Sequence, residues 1–175
     1  AEGRSNIWDA EHRSNLLKEF GFSRIAGALQ SRDRQRLVDI LAPGFKGLHP
    51  AAGKGKSFQA GILAVREEVG SSQSQRVERE EIADWILGRL AELDQSGRAD
   101  LMLRTHVITL SPEERENPGG AWSGTGKIEV FAEGSAGSRG ELTLFFRFGV
   151  SALNEERLAA PGWLVSMHVT RAVLG

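Results

Sequence analysis

The sequence contains no cysteine, which excludes disulfide bonds, thiol nucleophiles and metal sites built on thiolate ligands. Tyrosine is absent too, so tryptophan and phenylalanine supply all of the aromatic surface. No apolar run approaches the roughly 20 residues that a membrane-spanning helix needs. We therefore expect no membrane partner and a fold held together by an ordinary apolar core.

Positive charge is not in excess, since 22 basic residues stand against 23 acidic ones and the formal net charge is −1. The chain therefore lacks the excess of positive charge that is typical of nucleic-acid-binding proteins, and we expect no nucleic-acid partner. The 175 residues suffice for one domain with a sizeable core, and no linker divides them. Because the sequence starts at Ala1, we expect a secreted or periplasmic chain after removal of a leader, or an accessory domain cut from a larger protein.

The last third of the chain predicts strands over 127–131, 142–148 and 163–169, each rich in β-branched or aromatic residues and separated by turn-forming residues. A further strand is predicted over 101–110 and a short one over 45–49. Together they predict a largely antiparallel sheet of about five strands.

The earlier part of the chain predicts helices. A long first helix begins near Asp9, and a short second one follows Asp33 as its N-cap. Apolar residues at spacings of four, three and four predict a third helix over 57–69, and a clear apolar stripe predicts a fourth over 79–93. Gly21, inside the first helix, permits close approach of another element. Helices first and sheet afterwards indicate an α+β fold.

The stretch from Phe22 to Gly47 contains a helix ending Ala-Leu-x-x-x-Asp, a short apolar helix and Leu-Ala-Pro-x-Phe, and Gly162-Trp163-Leu164 opens the last strand. This pattern resembles the nuclear transport factor 2-like superfamily, including its SnoaL-like and ketosteroid-isomerase-like members. The resemblance implies one domain over 1–175 shaped as a cone, with N-terminal helices packed on a strongly curved, mostly antiparallel sheet and a pocket at the open end. The tyrosine donor of ketosteroid-isomerase-like chemistry is missing here.

Strand alternation places several polar residues on one side of the predicted sheet. The residues are Arg104, His106, Glu129, Arg147 and His168. One interpretation is a site with an acid, a base and a cation that holds an anion. The other is an outer face, solvated or used for dimerisation, because Phe131, Phe145 and Leu164 share that side. The opposite side, with Phe146 and Val165, is the predicted core.

Other candidates are weaker. If the resemblance holds, His49 and Trp122 lie at the rim of the pocket. The stretch 53–57 resembles the end of a phosphate loop, but Pro50 stands where the first glycine belongs, which argues against nucleotide binding. The four histidines lack metal-ligand spacing, so no metal and no cofactor are expected.

Two functions remain open from the sequence. The leading hypothesis is a non-catalytic domain that binds a small apolar molecule or another protein, most simply a second copy of itself. The alternative is a small pocket enzyme, an isomerase, dehydratase or hydrolase acting on an apolar molecule. The enzyme requires the polar set to converge in a concave, dry pocket, whereas the interaction domain requires it on an exposed or subunit-covered face.

Overall fold

The computed structural model describes residues 9, 11–50, 56–60, 63–69, 76–94, 97–134 and 139–175.

The helices begin with α1, which is helical over 11–16, forms a π-helical turn over Leu17–Phe22 and continues as an α-helix over Ser23–Gln30. Arg32, at a φ of 54° in the left-handed region, ends this helix. Asp33 then caps α2, Arg34–Ile40, because its carboxylate accepts a hydrogen bond of 3.2 Å from the Arg36 backbone N–H. Helix α3 spans Arg79–Leu93 as predicted, and α4 is short, Glu155–Ala159.

The strands join into one sheet. They are β1 Leu41–Leu48, β2 Lys56–Ala60, β3 Leu63–Val69, β4 Arg76–Val77, β5 Asp100–Pro112, β6 Trp122–Glu133, β7 Arg139–Val150 and β8 Leu164–Leu174. Their order is β2-β3-β8-β7-β6-β5, with β1 lying parallel to β8 and pairing with β4. Within the described residues the end strands β2 and β5 do not pair with each other, so the sheet is unclosed.

Register shifts curve this sheet. They leave one residue unpaired at three places, Ile108 on β5 and Val165 and Thr170 on β8. An extra residue on one strand of a pair bends that strand and increases its twist. The helices α1 to α3 lie against one side of the curved sheet. The predicted α+β architecture, with N-terminal helices on a strongly curved and mostly antiparallel sheet, is confirmed.

The core lies between α1 and the inner side of β6 and β7. Phe22 packs against Phe146 and Phe148, with ring centroids 5.7 and 5.4 Å apart. Trp163 is fully buried, and a Cβ added to Gly21 would lie 3.0 Å from its ring. A larger residue at position 21 would push α1 away from Trp163, which explains the glycine in mid-helix.

The helix predicted over 57–69 is wrong. The described residues of this range form the antiparallel strands β2 and β3, in register from Lys56 opposite Glu67 to Ala60 opposite Leu63. Periodicity alone does not distinguish a helix from a strand in so short an apolar segment, and the pairing of β3 with β8 decides the outcome.

Two further predictions need correction. The first strand begins at Leu41 rather than at residue 45. Its pairing with β8 is irregular between Leu41 and Lys46, and a strand can contain a proline such as Pro43 where the pairing is irregular. The sheet has eight described strands rather than about five, since β2, β3 and β4 add to it.

Alternation on β8 also differs from the prediction. Leu164, expected on the outer side, is buried at 1% exposure opposite Val150. Val165, expected in the core, is only half-buried. The register shift beside Gly149 inserts one unpaired residue, and such an insertion exchanges the two faces of a strand.

Neighbouring residues on β7 test the assignment of the two faces. Leu144 is fully buried and Thr143 is half-buried on the opposite side. We expect Leu144→Ala to lower the free energy of unfolding by about 2–5 kcal/mol, because it leaves a cavity in the core. Thr143→Ala should change it by less than about 1 kcal/mol. Urea denaturation at low protein concentration measures both, and equal losses would contradict the assignment.

Candidate functional site

The side of the sheet that faces away from the helices is termed the outer face here. It is defined by Met102, Arg104 and His106 on β5, Thr125, Lys127, Glu129 and Phe131 on β6, Thr143, Phe145 and Arg147 on β7, and Ser166, His168 and Arg171 on β8. These residues alternate with the buried positions of the same strands. Period-two alternation on a half-buried antiparallel sheet produces such a face.

All five residues that the sequence places on one polar side lie on the outer face, but they do not converge on one point. Arg104 is opposite Glu129 at one end, and Arg147 is opposite His168 at the other. The strand β7 separates Glu129 from His168. The set therefore divides into two groups.

The first group is a hydrogen-bonded pair. His106 Nε2 lies 2.7 Å from Glu129 Oε1, and Lys127 Nζ lies 3.5 Å from the same oxygen. Burial raises the pKa of Glu129, but the hydrogen bond from His106 and the charges of Lys127 and His106 outweigh it, so the pKa lies below its ordinary value. Glu129 is thus an ionised acceptor, and the His106 ring N–H donates to it.

Arginine side chains cover the two aromatic rings of the outer face. The Arg104 guanidinium lies 5.6 Å from the centre of the Phe131 ring, and the Arg171 guanidinium lies 5.2 Å from that of Phe145. Such contacts are attractive because the cation meets the negative face of the ring. Each phenylalanine remains half-buried within this chain.

The second group surrounds His168. His168 pairs with Arg147 on β7 and with Leu48 on β1. Burial and the positive charge of Arg147, in that order, lower the pKa of His168. His168 is accordingly neutral at neutral pH.

The two rim candidates lie elsewhere. His49 stacks on Trp85 at 5.1 Å between centroids, and its Nδ1–H donates to the Pro50 carbonyl at 2.8 Å. Trp122 is buried at 3% exposure, and its indole N–H donates to the Pro118 carbonyl at 2.8 Å. Neither side chain joins the outer face.

The described parts of the chain contain no feature that supports a metal, nucleotide or membrane function. No group of three or more possible metal ligands occurs among those residues. Gly53 to Gly55 of the phosphate-loop-like stretch lie outside them, and Lys56 and Ser57 belong to the strand β2, so no helix follows as that motif requires. No helix in the described residues is long and apolar enough to cross a membrane.

Strand alternation places Ser166 on the same side as His168, but sequence reasoning missed Lys46 as a member of the His168 group. Lys46 lies opposite Ser166 because β1 runs parallel to β8. A parallel pairing between segments more than 100 residues apart carries no local signature in the sequence.

Neither a family model nor a curated protein matches this sequence. Among solved structures, the chain is similar to a protein from Xanthomonas campestris that is named as a calcium/calmodulin dependent protein kinase II association domain. The TM-score is 0.47 at 12% sequence identity, over 84% of this chain and 79% of that one.

The electrostatic coupling between Arg147 and His168 can be measured directly. We expect Arg147→Gln to raise the pKa of His168, because the variant removes a positive charge that opposes protonation of the ring. NMR titration of the imidazole resonances, assigned with His168→Gln, measures it. Arg104→Gln, on the far side of the outer face, is the control and should leave this pKa in place. A His168 pKa that Arg147→Gln leaves unchanged would refute the coupling.

Proposed function

We propose that this chain is a single non-catalytic interaction domain of the nuclear transport factor 2-like type, over residues 1–175, and that its outer face binds a second copy of the same chain. The sequence resemblance and the α+β architecture agree with such a domain. The observation that carries the proposal is the composition of the outer face. The sequence analysis also favours a homodimer.

The outer face has the composition of a protein interface. Phe131, Phe145 and the exposed Met102 lie among arginines on it. Aromatic residues, methionine and arginine are enriched in interface centres. A second copy would desolvate the aromatic rings without leaving Glu129 unpaired, because His106 and Lys127 already bind its carboxylate.

The size and charges of the outer face suit a second copy. Its four main strands have 11 to 13 residues each. With strands about 4.8 Å apart and a rise of about 3.4 Å per residue, they present roughly 20 Å by 40 Å. In an interface of standard size each partner buries about 800 Å², which is close to the area of this face. Glu141 lies opposite Phe131 on the same side of the sheet and adds an exposed carboxylate to the arginines of this face. Charges of both signs allow the same surface to complement itself about a two-fold axis.

The pocket enzyme gains no support from this arrangement. The His106–Glu129 pair lies on the outer face rather than in a dry concave pocket, and its carboxylate is held ionised, which does not suit a general acid. Phe22, Phe146 and Trp163 are buried where α1 packs on β7, so no cavity opens at that contact. Binding of an apolar small molecule therefore stays a prediction, and the packing of the described core does not favour it.

Phe145→Asp tests the association. A carboxylate at the centre of the outer face would be desolvated in the dimer, so we expect the dissociation constant to increase at least tenfold. Sedimentation velocity over a concentration series measures it, and circular dichroism verifies the fold.

Phe20→Asp is the matched control, because Phe20 is a 37% exposed phenylalanine on α1, away from the sheet. It should leave the dissociation constant unchanged. A monomeric wild-type chain at every concentration, or dissociation by Phe20→Asp but not by Phe145→Asp, would reject the proposal.

A further inference from the structure

A cleft of about 180 Å³ opens on the outer face where β1 joins β8. The side chains around it come from three strands: Lys46 and Leu48 from β1, Arg147 from β7, and Ser166 and His168 from β8. It lies at the opposite end of the outer face from the Arg104–Phe131 contact. The cleft extends onto β1, outside the four strands that present the proposed interface, and the proposed association does not account for it.

The register of the three strands fixes where the two cations lie. Arg147 lies beside His168, and Lys46 lies beside Ser166, two residues earlier on β8. Strands about 4.8 Å apart and a rise of about 3.4 Å per residue put the cations at opposite corners of a patch roughly 10 Å by 7 Å. Lysine and arginine side chains are long enough to span half of such a patch, and both residues line the cleft.

Gly149 keeps one corner of this patch open. It lies opposite Ser166, and a Cβ added to it would come within 2.6 Å of the Ser166 hydroxyl oxygen. Any other residue at position 149 would displace the hydroxyl or fill the cleft. The remaining corner holds Leu48, which is apolar.

The charge at the cleft is uncompensated in the described part of the chain. No carboxylate there forms an ion pair with Lys46 or Arg147, and the ionised Glu129 is already bound by His106 and Lys127. His168, neutral at neutral pH, contributes a ring N–H, and Ser166 contributes a hydroxyl. The cleft thus presents two cations and two neutral donors, and no acidic group lines it.

We propose that this cleft binds a phosphate group, either as inorganic phosphate or as a phosphate monoester. Donors from several directions match a tetrahedral dianion with several acceptor oxygens, and hydrogen bonds between charged partners are the strong ones. A carboxylate offers only two oxygens and would leave donors unmatched. Leu48 supplies an apolar contact on which the organic part of an ester can lie.

Titration of the protein with inorganic phosphate tests the site. We expect saturable binding at low ionic strength by calorimetry, together with a rise in the pKa of His168, because a bound dianion favours the imidazolium form. Arg147→Gln and Lys46→Gln should each weaken the binding by about 10- to 100-fold, as loss of a charged hydrogen bond does. Phenyl phosphate is titrated in parallel. Tighter binding than that of inorganic phosphate identifies an ester site, and weaker binding identifies an inorganic phosphate site.

Arg104→Gln is the control, since it removes one exposed arginine from the same outer face, remote from the cleft. It should change the affinity by less than about twofold, the effect of general charge alone. Equal weakening by Arg104→Gln and Arg147→Gln would overturn the proposal, as would equal affinity for acetate and phosphate or the absence of saturation. The titration is repeated on Phe131→Asp, which alters the proposed interface but lies away from the cleft. Phosphate binding that persists in this variant is independent of the association, so a failure of one proposal is distinguished from a failure of the other.

Discussion

The packing of Phe22 against Phe146 and Phe148, with Trp163 pressed on Gly21, determines which side of the sheet the helices cover. Burying aromatic rings of this size is among the largest favourable contributions to a core. Once β7 presents its even-numbered residues to α1, its odd-numbered residues must face outward, and the register with β6 and β8 imposes the same choice on them. The position of the outer face, with its arginine-covered rings and its basic cleft, follows from this one packing arrangement.

Much of this arrangement is readable from local sequence patterns. The N-cap at Asp33, the end of α1 near Arg32 and the bounds of α3 follow from capping and helical periodicity. The alternation on β6 and β7 correctly separates Phe146 from Phe145. These features depend on residues close together in the chain, which is why one sequence suffices to find them.

The features that the sequence did not reveal depend on contacts between distant segments. Residues 57–60 and 63–69 form strands because β3 pairs with β2 and β8, although the local spacing of their apolar residues fits a helix equally well. Lys46 joins His168 only through the parallel pairing of β1 with β8. The exchange of Leu164 and Val165 between the two faces results from one register shift beside Gly149. In each case tertiary pairing overrode a pattern of short range.

The absence of cysteine makes the central claim, that the sheet has one filled face and one face that meets a second copy, directly measurable. The rate of maleimide labelling of a single thiol, introduced by Thr143→Cys on the outer face, should fall as the protein concentration is raised through the range of association. The thiol of Leu144→Cys, on the inner face, should react slowly at every concentration, because exposure requires unfolding. Labelling of the Thr143→Cys variant at one fast rate across the whole concentration range, or of Leu144→Cys at the same fast rate, would contradict the account.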